Sequence, residues 1–283
     1  MSKEAPNGLL ANRLRDILLN FNSEADALDY FIRASNYSPD GFKADEIQTI
    51  GATLEQYRNV ARLMREAYES SAENQDHEVI TVQGQEYTKA TLKQYITRYT
   101  ERIQKQDRII NMNTIVSYNY LNSIFDSALT DLIREMFKKN RVLIISKNNT
   151  NEEKSVSYSA LLKSNSIDDL INSIIEEKVI KTSYKSIADQ IKFIETNLND
   201  VLLTEDQKKD ITEKRATRNI YTHNKGVVNS IYLELVKDAS FKNGDLRSID
   251  TNYVSEAIAL YKILTENFIN ILSRKYINPW SEE

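Results

Sequence analysis

An arginine and a histidine five residues apart, Arg218 and His223, lie in the stretch EKRATRNIYTHNKG that runs from Glu213 to Gly226. His223 is one of only two histidines in the 283-residue chain. Together the two side chains suit cleavage of a phosphodiester by internal attack. An imidazole takes the proton of an RNA 2′-hydroxyl and a guanidinium stabilises the charge that builds on the phosphorane, with no metal required at either step. Asn219, beside the arginine, can hold the phosphate or orient the histidine through its amide. Tyr221 offers a ring on which a base can stack. Lys214, Arg215, Asn224 and Lys225 complete the set of RNA-contacting candidates. Between Lys208 and Lys225 six basic residues face two acidic ones, Asp210 and Glu213. That is a local surplus of four positive charges on a chain of formal net charge −4.

One helix has to position these residues, and the sequence predicts it over 205–222. Thr204 and Gln207 have the spacing of a capping box, while Glu205 and Asp206 place negative charge in the first turn. At the other end His223, Asn224, Lys225 and Gly226 read as a helix stop, with Gly226 suited to the left-handed residue just past the end. Residues five apart on an ideal helix are separated by about 140°. Arg218 and His223 therefore share a face only if the last turn loosens or His223 lies just beyond the helix. The negative end of a helix favours a protonated imidazole, and histidine is the side chain that both takes and gives a proton near neutral pH.

The remaining elements read as scaffold. Apolar residues at three and four spacing predict helices over 9–34 (Leu10, Leu14, Ile17, Leu18, Phe21, Leu28, Phe31) and over 43–71 (Ile47, Ile50, Leu54, Tyr57, Ala61, Met64, Tyr68). A break containing Pro39 and Gly41 separates them. Alternation around Gly84 predicts a short hairpin over 77–88. Residues 89–111 carry a narrow stripe of Leu92, Ile96, Tyr99, Ile103 and Ile110, suited to one arm of an antiparallel pair or a short coiled coil. The polar run NMNT at 111–114 is the best candidate boundary. Further helices are expected over 115–139, 167–180, 184–198, 228–241 and 252–276, with a brief extended piece at 142–145 and a polar loop at 147–154. His77, beside Asp76 and Glu78, reads as a solvated turn, and Trp280 as a packing anchor or an exposed tail residue. The expected fold is an all-α helical bundle, with residues 1–111 as an N-terminal helical region carrying the hairpin and residues 112–283 as a second helical domain.

Composition narrows the chemistry. The chain has no cysteine, which removes disulfides, thiolate zinc sites and a cysteine nucleophile. Two histidines do not make a histidine-rich metal site. No apolar run approaches about 18 residues, and Arg13 and Arg15 interrupt the N-terminal one, so a cytoplasmic protein without a membrane span is expected. An acidic net charge argues against non-specific coating of nucleic acid. There is no Gly-rich phosphate loop.

The segment RNIYTHNKG resembles the R-x4-6-H motif of the HEPN superfamily, in which a polar residue commonly follows the arginine. Helix order over about residues 113–276 is similar too. The pieces YSALLKSNSIDDLINSIIEEKV and YKSIADQIKFIE look closest to the branch called RiboL-PSP-like HEPN proteins. The resemblance implies a helical bundle of HEPN type and a metal-independent endoribonuclease without cofactors, of bacterial toxin–antitoxin, abortive-infection or other antiphage systems. It also implies a homodimer whose two motifs face one another, with a possible antitoxin or defence-system partner protein. Arg218 and His223 carry over as catalytic and Asn219 as supporting. A subgroup of these toxins has a tyrosine two residues after the histidine, modified by a partner nucleotidyltransferase; here that position is Lys225.

Two other readings stand beside it. One is a non-catalytic helical module that binds RNA or a protein partner, in keeping with the acidic charge and with the N-terminal region, which the resemblance leaves uncovered. The other is a coiled-coil structural protein, for which the stripe over 92–110 spans about three heptads.

Overall fold

The computed structural model describes residues 6–35, 54–71, 79–144, 164–237 and 240–277. Their order is α1 (Pro6–Ser35), α2 (Leu54–Glu69), β1 (Val79–Val82), β2 (Gln85–Thr88), α3 (Lys89–Lys139), a 3-10 turn (Arg141–Ile144), α4 (Ile167–Ser183), α5 (Ile187–Leu198), α6 (Glu205–Asn224), α7 (Ser230–Val236) and α8 (Thr251–Tyr276). The protein is all-α with one short hairpin, as composition and periodicity predict. The Pro39–Gly41 break, the start of the second predicted helix, the His77 cluster, the 147–154 loop and Trp280 lie outside the described residues.

Packing divides the chain into two units. The larger holds the described parts of 1–28, 118–248 and 252–283, and the smaller those of 29–117 with 249–251. This differs from a division at 111/112, because residues up to Leu28 pack with the C-terminal part. The polar run at 111–114 does not end a helix either, since α3 passes straight through it. Asn and Thr each cost a helix only a few tenths of a kcal/mol, and neither Gly nor Pro is present to stop it. The Thr114 hydroxyl donates to the Ile110 carbonyl at 2.9 Å, so its polar group is satisfied inside the helix.

In the larger unit the stripe expected on the second half of α3 is buried, with Tyr118, Leu121, Phe125, Leu132 and Met136 each fully enclosed. It meets the stripe of α8, where Val254, Tyr261, Leu264 and Phe268 are equally enclosed. Phe125 stacks on Tyr261 with ring centroids 4.0 Å apart, and Phe21 of α1 packs against Phe125 at 6.2 Å. Each such side chain contributes roughly 1.5–3 kcal/mol through its removal from water. On α1, Phe31 was expected inside but is exposed, while Ile32 is buried; Ile32 continues the series Leu14, Ile17, Phe21, Ala25 and Leu28.

In the smaller unit Gln83 (φ 50°) and Gly84 (φ 82°) form the two-residue loop of the hairpin, in which Val82 pairs with Gln85. Positive φ at both positions matches the type I′ turn, whose twist suits paired strands. Ile80 and Val82 of β1 pack with Met64 of α2 and Leu92 of α3, which supplies the apolar cover a lone hairpin lacks. Of the piece expected to be extended at 142–145, residues 142–144 fall instead on the 3-10 turn and 145 lies outside the described residues, and α7 is shorter than the predicted 228–241 helix. Lys237, at φ 54°, ends it in a left-handed cap.

Candidate functional site

Helix α6 is capped at both ends. The Thr204 hydroxyl accepts the Gln207 amide at 3.3 Å, and the Gln207 side-chain oxygen accepts the Thr204 amide at 3.0 Å, so the capping box forms as the spacing predicts. At the C-terminus two residues share the left-handed turn, Lys225 at φ 53° and Gly226 at φ 80°. Both amides donate to the Ile220 carbonyl, and the Asn224 side-chain amide closes the turn by donating to the Val227 carbonyl at 2.6 Å. A Cβ at Gly226 would stand 2.9 Å from Cε1 of Tyr221, so this position needs glycine for space as well as for backbone conformation.

Because α6 continues through Asn224, His223 is helical and the last turn does not loosen. Arg218 and His223 therefore stand about 140° apart around the axis, with Thr222 at about 40° and Asn219 at about 100° between them. The gap is partly closed by the side chains: Arg218 Nη1 donates to Asn219 Oδ1 at 3.2 Å. Asn219 is in turn one helical turn before His223 on the same face. Asn219, Thr222 and His223 are exposed and Arg218 is half-buried, so cation, amide and imidazole form one solvent-open ridge. The Thr222 hydroxyl donates to the Arg218 carbonyl at 2.9 Å and lies 3.5 Å from Oδ1 of Asn119 on α3.

Three residues expected to contact RNA are committed elsewhere. Lys214 is buried, with Nζ over the Tyr253 ring at 3.8 Å and carboxylate oxygens of Asp210 and Glu256 at 3.4 and 3.5 Å. Arg215 reaches Asp126 of α3 at 2.7 Å and Asn122 at 2.9 Å. Burial works against its charge, but Asp126 and Tyr261 together more than offset that and leave its pKa raised. Tyr221 lays its ring on Gly226 and donates its hydroxyl to the Arg247 carbonyl, so it is not presented for stacking on a base. Of the flanking lysines, Lys208 pairs with Glu195 and Glu205, and Lys209 with Asp206. The basic surplus legible in the sequence is thus largely consumed by ion pairs. Asn224 closes the cap and Lys225 remains exposed.

Sequence reasoning missed what lies behind the ridge. The Glu213 carboxylate accepts from the Thr217 hydroxyl at 2.8 Å, Tyr232 at 3.0 Å and Tyr253 at 2.7 Å, and pairs with Arg247 at 3.1 Å. Burial, then the Glu213 charge, pushes the Tyr253 hydroxyl well above its ordinary pKa, which keeps it a donor. Tyr118, also pushed up mainly by burial, donates to the Lys214 carbonyl. Below this network Ala216, Ile220, Val228 and Tyr232 form an apolar cluster that seats α6. Local spacing offers one clue, the four-residue step from Glu213 to Thr217; Arg247, 34 residues away, gives none.

No family model, no curated protein and no solved structure matches this chain. Among the described residues no group of three or more His, Cys, Asp and Glu side chains is placed to hold a metal ion, and no helix is long and apolar enough to cross a membrane.

Proposed function

We propose that the chain is an endoribonuclease of HEPN type. The observation that carries this reading is the ridge on α6: Arg218 bound to Asn219, with His223 one turn above, all open to solvent, while the neighbouring charges Glu213, Lys214 and Arg215 are tied into the interior. His223 takes the proton of a 2′-hydroxyl, whose oxygen bonds to the adjacent phosphorus as the bond to the 5′-oxygen breaks. Arg218 neutralises the charge on the phosphorane, and Asn219 orients the guanidinium. The products are a 2′,3′-cyclic phosphate and a 5′-hydroxyl, the latter receiving a proton. Because one helix sets Arg218 and His223 about 140° apart, a second copy of the chain supplies the facing groups. The working form is then a homodimer, and a role in bacterial defence or as a toxin, with an antitoxin or defence partner, belongs to the same reading.

The separation of the two side chains and the loss of the basic surplus favour a second reading, a non-catalytic module that binds RNA or a protein partner. Incubation of the purified protein with total RNA, alongside His223→Ala and Arg218→Ala, separates them. The ribonuclease reading expects wild-type cleavage with cyclic-phosphate ends and a loss of about 100-fold or more in each variant. Equal cleavage by all three overturns it.

A further inference from the structure

Arg247 touches α6 at three heights. Its guanidinium pairs with Glu213, with Nη2 and Nε at 3.1 and 3.3 Å from the same carboxylate oxygen. Its carbonyl accepts the Tyr221 hydroxyl, and its amide donates to the Gly226 carbonyl at 2.9 Å. The same segment continues the hold, since Val228 donates to the Asp245 carbonyl at 2.8 Å and Val227 bridges Leu246. The guanidinium lies 4.8 Å from the centre of the Tyr253 ring and 5.2 Å from that of Phe241, which fixes its plane.

On the helical wheel Tyr221 lies about 160° from both Asn219 and His223, and Glu213 about 120° from Asn219 and about 80° from His223, so neither contact falls on the ridge. One residue therefore holds the helix from outside the ridge, from its middle to its C-terminal turn, and leaves the ridge open. The grip ends three residues past His223, on the turn whose geometry sets where the last helical residues stand. Frayed helix ends are the ordinary case, because the last four carbonyls lack partners. Here the Gly226 carbonyl, just past the end, is held by the Arg247 amide, and the Ile220 carbonyl by two amides.

We propose that Arg247 is a positioning residue that, through Glu213, Tyr221 and Gly226, fixes the last turn of α6 and so the place of the His223 imidazole. The activity arm of this claim rests on the ribonuclease reading; the geometric arm does not. Removing the guanidinium alone leaves the half-buried Glu213 with only Lys214, at 3.9 Å, as a charge partner, so Arg247→Met is a poor test. Arg247→Lys keeps the charge and loses the planar fork, and the double variant Glu213→Gln/Arg247→Met removes both charges together.

The test uses the full chain with 13C-labelled histidine. With only two histidines present, a His77→Gln variant assigns the His223 ring resonance by elimination. Arg247→Lys and the double variant are expected to melt close to wild type while the His223 resonance shifts or broadens. On RNA, kcat is expected to fall about 10-fold with KM within about twofold, since misplacement rather than binding is at fault. Tyr221→Phe, which breaks the middle contact, is expected to show a smaller change in the same direction. The proposal is overturned if the variants that fold keep both the wild-type resonance and the wild-type kcat. It is equally overturned if activity is lost only in step with loss of fold. Should wild type cleave no RNA, the resonance alone decides the positioning claim, and the ribonuclease reading falls separately.

Discussion

Residues 213–217 and residues 218–225 are consecutive along α6 and its cap and both carry charge, Glu213, Lys214 and Arg215 in the first and Arg218 and Lys225 in the second, yet they meet opposite surroundings. In the first group Glu213, Lys214 and Arg215 each find a partner from a distant segment: Arg247, the Tyr253 ring and Asp126. In the second group Asn219, Thr222, His223 and Lys225 are exposed. The difference teaches that charge along a sequence does not by itself mark a binding face. What decides is whether another element brings an opposite charge or a ring within reach, because an unpaired charge cannot be buried cheaply.

The comparison breaks most visibly in activity. His223→Ala and Arg218→Ala are expected to lower RNA cleavage by about 10²–10⁴-fold. In urea melts His223→Ala should stay within about 0.5 kcal/mol of wild type, because exposed positions tolerate change, and the half-buried Arg218→Ala within about 1 kcal/mol. The opposite pattern belongs to the first group. Glu213→Ala strips Arg247 of its carboxylate and is expected to cost about 3–5 kcal/mol in urea denaturation.

The network behind the ridge also predicts a response to alkali. Tyr118, Tyr253 and Tyr261 are all raised from their ordinary value of 10.0, first of all by burial. A raised folded-state pKa leaves their contribution intact below pH 10, where folded and unfolded chains are both protonated. Above pH 10 only the unfolded chain ionises, so stability should fall by about 1.4 kcal/mol per pH unit for each tyrosine. Urea melts between pH 9 and 11 measure the slope, and a flat profile would mean that these hydroxyls are not held in the interior.

Smaller effects sharpen the boundary between the groups. Gly226→Ala meets the Tyr221 ring and is expected to cost about 1–2 kcal/mol. Lys225→Gly relieves a left-handed lysine and is expected to stabilise by about 0.5–1 kcal/mol, read from the same melts. It should leave cleavage near wild type if Lys225 has no part in the chemistry.

The helices and the start of α6 were legible because they rest on local signals: the Thr204–Gln207 box, the stripe from Tyr118 to Met136, and the stripe from Val254 to Leu272. The hairpin was legible through Gly84. The expected break at 111–114 was misleading because polar residues weaken a helix without stopping it, and α3 carries its burial on both sides of that run. The ridge residues could be named from their types and spacing, but their neighbours could not be sorted. Nothing near Lys214 or Arg215 announces Tyr253 or Asp126, and nothing near Glu213 announces Arg247. Those pairings are set by tertiary packing, over 39, 89 and 34 positions of sequence.

The central claim is that the α6 ridge of one chain is half of an RNA-cleaving site. Co-expression of Arg218→Ala and His223→Ala chains under separate tags, with purification of the mixed dimer, tests it most directly. A site shared between two chains predicts that the mixed dimer regains cleavage that neither homodimer shows, since it holds one intact arginine and one intact histidine on facing chains. A mixed species as silent as its parents, beside a wild type that cleaves, would contradict the account.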